Sequence, residues 1–146
     1  MPTSGFYSCT SRVTILFVDN DAGTRLAYQS LATDEGFGVE LAADAHEATA
    51  LARVLLPDVI VLEVRLPDLE GLAVVRRLRA SARTCAIPIV IVTGDDTEEV
   101  DVAVRASGCE GHLVRPCSAG EFVRLVNVLA IRGRDDVPEM GLRVGA

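Results

Sequence analysis

Three short apolar runs constrain this 146-residue chain most: Val13-Thr14-Ile15-Leu16-Phe17-Val18, Val59-Ile60-Val61-Leu62-Glu63-Val64 and Ile89-Val90-Ile91-Val92-Thr93. Each is β-branched and nearly continuous instead of alternating with polar residues, which is how strands buried on both faces of a parallel sheet read. Gly38-Val39-Glu40-Leu41 and His112-Leu113-Val114 are weaker strand candidates whose brevity and polar content suit sheet edges. Helical patterns lie between them. Asp44-Ala45-His46-Glu47 is a variant capping box, with Ala48, Leu51, Ala52 and Leu55 behind it on one helical face. Asp96-Thr97-Glu98-Glu99 repeats the signal ahead of Val100, Ala103 and Val104, with a stop at Gly108. Ser118-Ala119-Gly120-Glu121 precedes Phe122, Leu125, Val126 and Leu129. Less regular helical patterns cover 22–35 and 71–81, and Pro57 and Pro88 block helix continuation just before strands. Strict alternation of strand and helix predicts an α/β fold, a doubly wound five-stranded parallel sheet with helices on both faces. The order 2-1-3-4-5 places the two weak strands at the edges.

Hydrophobic residues make up 49% of the chain but aromatics only 4%, so the core is aliphatic. One domain is expected over 12–131, between flexible tails at 1–11 and 132–146 that show no periodicity. Fourteen basic residues face 21 acidic ones, a net charge of −7 that disfavours direct contact with nucleic acid. All the basic residues are Arg; the chain has no Lys. No apolar run approaches the ~18 residues of a membrane span, and the polar N-terminus does not read as a signal peptide. Cys9, Cys85, Cys109 and Cys117 show no CxxC spacing, so neither a zinc site nor a disulfide framework is expected. A reduced, cytoplasmic protein fits that usage. The stretch after residue 131 is too short for a DNA-binding or enzymatic domain, so output is expected to pass through another protein.

In open α/β sheets, ligands bind beyond the carboxyl ends of the strands. Asp19-Asn20-Asp21 follow the first strand, Glu63 ends the third, Thr93 ends the fourth and Arg115-Pro116 follow the fifth. Adjacent strands would bring these together as a carboxylate cluster, a hydroxyl and a guanidinium. Plainer roles exist for most of them: Asp and Asn after a strand cap helices, Thr93 suits any strand, and Arg115 can be a solvated loop charge. Glu63 is harder to explain that way, because a carboxylate in an apolar strand is costly unless paired or at a wet end.

The segments Ile15-Leu16-Phe17-Val18-Asp19-Asn20-Asp21, Pro57-Asp58-Val59-Ile60-Val61-Leu62-Glu63, Leu66-Pro67-Asp68-Leu69-Glu70-Gly71, Pro88-Ile89-Val90-Ile91-Val92-Thr93 and Gly111-His112-Leu113-Val114-Arg115-Pro116 resemble, in order and spacing, the receiver domain of bacterial two-component response regulators. The resemblance spans about 12–131. It implies a phosphorylation switch. An Asp ending the third strand accepts a phosphoryl group from a histidine kinase, and two acids after the first strand help bind Mg²⁺. A Ser/Thr and a Lys contact the phosphoryl oxygens, and an aromatic or His on the fifth strand turns inward to alter a partner face. Asp19 matches the first acid, Thr93 the hydroxyl switch and His112 the fifth-strand switch. Arg65 would offer a metal only its backbone carbonyl. The implied partner face covers roughly 97–107 and 112–125, with Glu98, Glu99, Asp101, Arg105 and Arg124 as rim charges. Signalling proteins, a histidine kinase or an effector, are the implied partners, and a second copy of the chain is a further candidate; no membrane is involved.

Three positions depart from the pattern: Glu63 replaces the phosphoacceptor Asp, Asn20 the second acid and Arg115 the Lys. Asn20 lowers the site's negative charge and so its affinity for Mg²⁺, which seeks carboxylate oxygens in octahedral geometry. Asp21 is a neighbouring acid, at a position that normally starts the helix. Glu63 reaches roughly 1.5 Å farther than Asp, into the volume a phosphoryl group would take. Arg115 can grip a carboxylate with a planar fork, as Lys cannot. The expectation is a degenerate receiver with a permanent Glu63–Arg115 pair, needing no cofactor and binding Mg²⁺ weakly if at all, through Asp19, Glu63 and the Arg65 backbone. A conventional, Mg²⁺-using receiver is the alternative. Asp19-Asn20-Asp21 also resembles the strand end of haloacid-dehalogenase-type phosphatases, with Asp19 as nucleophile, although that family's Lys has no candidate here.

Overall fold

A computed structural model describes residues 12–94, 97–135 and 142–145. Its elements alternate throughout: β1 (Thr14–Val18), α1 (Ala22–Asp34), β2 (Gly38–Ala42), α2 (Ala45–Leu55), β3 (Val59–Glu63), α3 (Gly71–Arg79), β4 (Ile89–Thr93), α4 (Glu98–Ala106), β5 (Gly111–Val114), α5 (Ala119–Asp135) and β6 (Leu142–Gly145). The sheet is parallel throughout, in the order β2-β1-β3-β4-β5-β6.

The expected order 2-1-3-4-5 is therefore present, with one strand more than the sequence suggested. The C-terminal segment expected to be loose from 132 onward continues α5 to Asp135 and supplies β6, which pairs Gly111 with Leu142 through Val114 with Gly145. β5 is consequently an interior strand instead of an edge. Its outer row of N–H and C=O groups is a ready template, and a following segment of even four residues satisfies it. So short a strand leaves too little periodicity to read. The expected tail at 1–11 lies outside the described residues.

Side-chain alternation along the strands divides the core in two. Leu16, Val18, Ile60, Leu62, Ile89 and Ile91 pack with Ala48 and Ala52 of α2, Val74, Val75 and Leu78 of α3, and Val104 of α4. Ile15, Phe17, Val59, Val61, Val90, Val92 and Leu113 pack on the other face with Ala32 of α1 and with Phe122, Leu125, Val126 and Leu129 of α5. Every residue of β3 and β4 is buried, as continuous apolar runs require.

The capping signals hold in two cases and shift in the third. Asp44 accepts from the Glu47 amide at 2.8 Å, while the Glu47 carboxylate reaches back to the Ala43 amide at 2.9 Å. Ser118 and Glu121 exchange reciprocal bonds of 2.8 and 3.0 Å. At α4 the cap is Thr97, whose hydroxyl accepts from Val100, one residue later than the Asp96 expected from the pattern; Asp96 lies outside the described residues. On α2 the apolar stripe ends early, because Leu55 is exposed at the helix end.

Candidate functional site

Strand parity sorts the candidate residues onto two faces of the sheet. Val18 pairs with Leu62, so the next residue of each strand, Asp19 and Glu63, stand side by side. They share parity with Ile15, Phe17, Val59 and Val61 and so lie on the α1/α5 side. Thr93 and His112 have the opposite parity and lie on the side of α2, α3 and α4, with Ile91 opposite His112 and Thr93 opposite Val114.

The first group is an ionic cluster of two buried carboxylates and a partly exposed guanidinium. Asp19 is 3% exposed and Glu63 8%. The Arg115 guanidinium donates through Nη2 to Glu63 Oε1, and its Nη1 lies 3.6 Å from Asp19 Oδ2. The Arg65 amide donates to Glu63 Oε2 at 3.2 Å, so both carboxylate oxygens are engaged. Asp19 Oδ1 accepts from the Asp21 amide at 2.9 Å. Asp19 Oδ2 is fully buried and has no hydrogen-bond partner, leaving only its charge contact with Arg115. The expected Glu63–Arg115 pair is thus present, and Asp19 joins it. Arg115 is held by its own amide, which donates to the Thr93 carbonyl at 2.8 Å, and the Arg115–Pro116 peptide is cis.

The other two residues of the expected acidic pocket point elsewhere. Asn20 is exposed. Asp21 caps α1, with one oxygen accepting from both the amide and the hydroxyl of Thr24 at 2.8 Å; those bonds hold its carboxyl below the usual range. Among the described residues, no three His, Cys, Asp or Glu side chains gather as a metal-binding group.

Sequence reasoning missed several supports. Arg25 Nη1 donates to the Asp19 carbonyl at 2.7 Å and ties α1 to the site. Tyr28 stacks on Phe17 at 4.4 Å and meets Phe122 edge-on at 5.0 Å; burial pushes its hydroxyl up to about 12. Asp68, in the loop that enters α3, accepts from the Ala45 and His46 amides at 2.9 and 3.1 Å and so caps α2 from a distance. These bonds lower its carboxyl below the ordinary value. Helix capping at 23 residues' separation leaves no local sequence signal. Gly71 opens α3 against the end of β3, and its amide donates to the Val64 carbonyl at 2.8 Å.

On the opposite face, Thr93 is 1% and His112 4% exposed. His112 Nδ1 lies 3.6 Å from Asp101 Oδ1, and Asp101 Oδ2 accepts from Arg105 Nε at 3.1 Å. Two of the expected rim charges are therefore linked to the buried imidazole, whereas Glu98, Glu99 and Arg124 are solvated. Cys85, Cys109 and Cys117 are free thiols; burial raises Cys109 and Cys117, which keeps them protonated, and Cys9 lies outside the described residues. None of the described helices is long and apolar enough to cross a membrane.

Comparison with known proteins agrees with this architecture. The model of the response regulator receiver domain matches residues 15–127. The response regulator MprA of Mycolicibacterium vanbaalenii is 34% identical over 124 residues, which is 85% of this chain and 53% of that protein. The DNA-binding response regulator MtrA of Mycobacterium tuberculosis is 33% identical over 132 residues, covering 90% of this chain and 56% of the relative. The chain thus spans about half the length of these curated relatives. Among solved structures, the chemotaxis response regulator CheY4 of Vibrio cholerae superposes with a TM-score of 0.76 at 28% identity, covering 82% of this chain and 99% of that one. A putative response regulator from Chloroflexus aurantiacus gives 0.79 at 26% identity, covering 84% and 100%. With its strand order, its loop spacing and the match over 15–127, the chain belongs to the response regulator receiver domain family.

Proposed function

We propose that this receiver domain works in two-component signalling without phosphoryl transfer at residue 63. It acts as a non-catalytic cytoplasmic module whose output is protein–protein contact through α4, β5 and α5. One observation carries this reading: the side chain at the acceptor position is a Glu with both carboxylate oxygens already bonded, one of them to Arg115. A nucleophilic carboxylate must present a free oxygen in line with the phosphorus, and a displaced or occupied one loses that alignment. Asp21 and Asp68 do not replace it: neither stands at the end of β3, Asp68 gives both oxygens to the start of α2, and Asp21 gives one to Thr24. The buried His112 fits a switch held inward, so the domain would present one fixed partner face. A histidine kinase, a downstream effector or a second copy of the domain are the partner classes. The net charge of −7 argues against this domain touching DNA itself.

The experiment is incubation with acetyl phosphate and Mg²⁺, followed by intact mass spectrometry, with ¹⁵N correlation spectra recorded on adding beryllofluoride. No covalent adduct and no shifts around Glu63 and Thr93 are expected. An acyl phosphate at Glu63 would restore the conventional receiver and overturn the proposal.

A further inference from the structure

We propose that the Arg115 guanidinium is the resident cation of this site, occupying the role that a divalent metal has in the resemblance, so that the domain's charge balance is independent of Mg²⁺. This deepens the reading above and rests on it.

The argument starts from burial. Asp19 and Glu63 are two carboxylates in adjacent strand positions, both almost fully removed from water. Two like charges in such a place require a counter-charge between them. Arg115 provides it with one planar group, Nη2 on Glu63 and Nη1 facing Asp19 Oδ2. That Asp19 oxygen is buried with no hydrogen-bond donor and Arg115 is the cation that faces it, while the Arg25 guanidinium meets Asp19 at its backbone carbonyl. A guanidinium suits this task because it spans two acceptors, stays charged at any working pH and tolerates partial desolvation.

The surrounding donors do not fit a metal. Mg²⁺ needs a near-octahedral set of oxygens. Here Asn20 and Asp21 are exposed, Asp21 turns one oxygen to Thr24 as the α1 cap, and the Glu63 oxygens face Arg115 and the Arg65 amide. With Arg115 in place the three side chains sum to −1; a divalent ion entering would have to expel a guanidinium that then lies beside it. Removing that guanidinium leaves a buried dianionic pair, which is the state that attracts a divalent ion.

Mn²⁺, whose paramagnetism broadens nearby amide signals, is the probe. Titrated into the wild-type domain it should leave Asp19, Glu63 and Arg65 unbroadened, and thermal stability should be the same in Mg²⁺ and in EDTA. Arg115→Ala should bind Mn²⁺ about tenfold or more tighter, with broadening centred on those three amides and a melting temperature that rises with Mg²⁺. Arg115→Ala/Asp19→Asn should lose the gain. Site-specific broadening in the wild type overturns the proposal whether or not any variant folds, and so does a folded Arg115→Ala with no gain. The phosphodonor experiment is separate: Mn²⁺ at the wild-type carboxylates without an adduct sinks this inference alone, and an adduct at Glu63 without metal broadening sinks the functional reading.

Discussion

At the scale of single residues, one methylene and one change of cation alter what the strand end can do. Glu63 and Arg115 each keep the charge sign of the residue they replace in the family pattern, and in this chain they are bonded to one another. Their mutual dependence is measurable. A double-mutant cycle with Glu63→Gln and Arg115→Met should give a coupling of about 1–3 kcal/mol in urea unfolding, because Arg115→Met strands the buried Glu63 charge and the double change has no Glu63 charge to strand, while the loss of Arg115 from Asp19 is common to both and cancels. A coupling near zero would mean the pair is screened by solvent. The pair was legible in the sequence because strand ends and the sheet order place residues 63 and 115 together. The shares of Asp19 and Arg25 were not, since they depend on where the guanidiniums settle. Asp68 allows a test by pH. Its carboxyl titrates below the 3.8 of an unperturbed Asp when folded, because the Ala45 and His46 amides bond to the charged form. A depressed folded value adds stability above that pH and loses it as pH falls through the folded value. Melting temperature should thus drop more steeply between about pH 5 and pH 2 in the wild type than in Asp68→Asn. Equal slopes would remove Asp68 from the balance.

Elements were legible where a local rule governs them and obscure where a distant contact does. The continuous runs of β3 and β4, and the Ser118–Glu121 box of α5, follow from neighbouring residues. The Leu66-Pro67-Asp68-Leu69-Glu70-Gly71 segment was legible only as a family motif, and its physical content appears in three dimensions. Asp68 reaches back to α2, and Gly71 lets the start of α3 approach β3 so closely that a Cβ there would overlap the Glu63 carbonyl and come within 3.0 Å of Val64 Cα. Both neighbours are backbone and cannot rotate away. Gly71→Ala should therefore push α3 from the strand end at a cost of about 1–3 kcal/mol, and it should move the Glu63 amide resonance more than those of β2. A variant with unchanged stability and spectrum would show that the loop has slack.

For the whole molecule, the sheet order and the two-sided core were readable because alternation and right-handed crossovers leave few arrangements. The sixth strand was not, since four residues carry no periodicity and their fit depends on an edge that exists only after the rest has folded. That strand changes the face on which the functional reading depends. In the described residues β6 pairs along all of β5, so the backbone edge between α4 and α5 is already taken, and a partner meeting this side has helix surfaces and the sheet's last strand to grip. Among parallel strands, amides alternate between the two neighbours, so roughly half of the β5 amides depend on β6 for protection from solvent. Deleting 136–146 should speed deuterium uptake in Gly111–Val114, measured by mass spectrometry of peptides spanning β5, while β3 and the amides beside Glu63 keep their protection. Unchanged uptake in β5 would mean that β6 is not paired in solution, and the bare edge would then belong to the partner face.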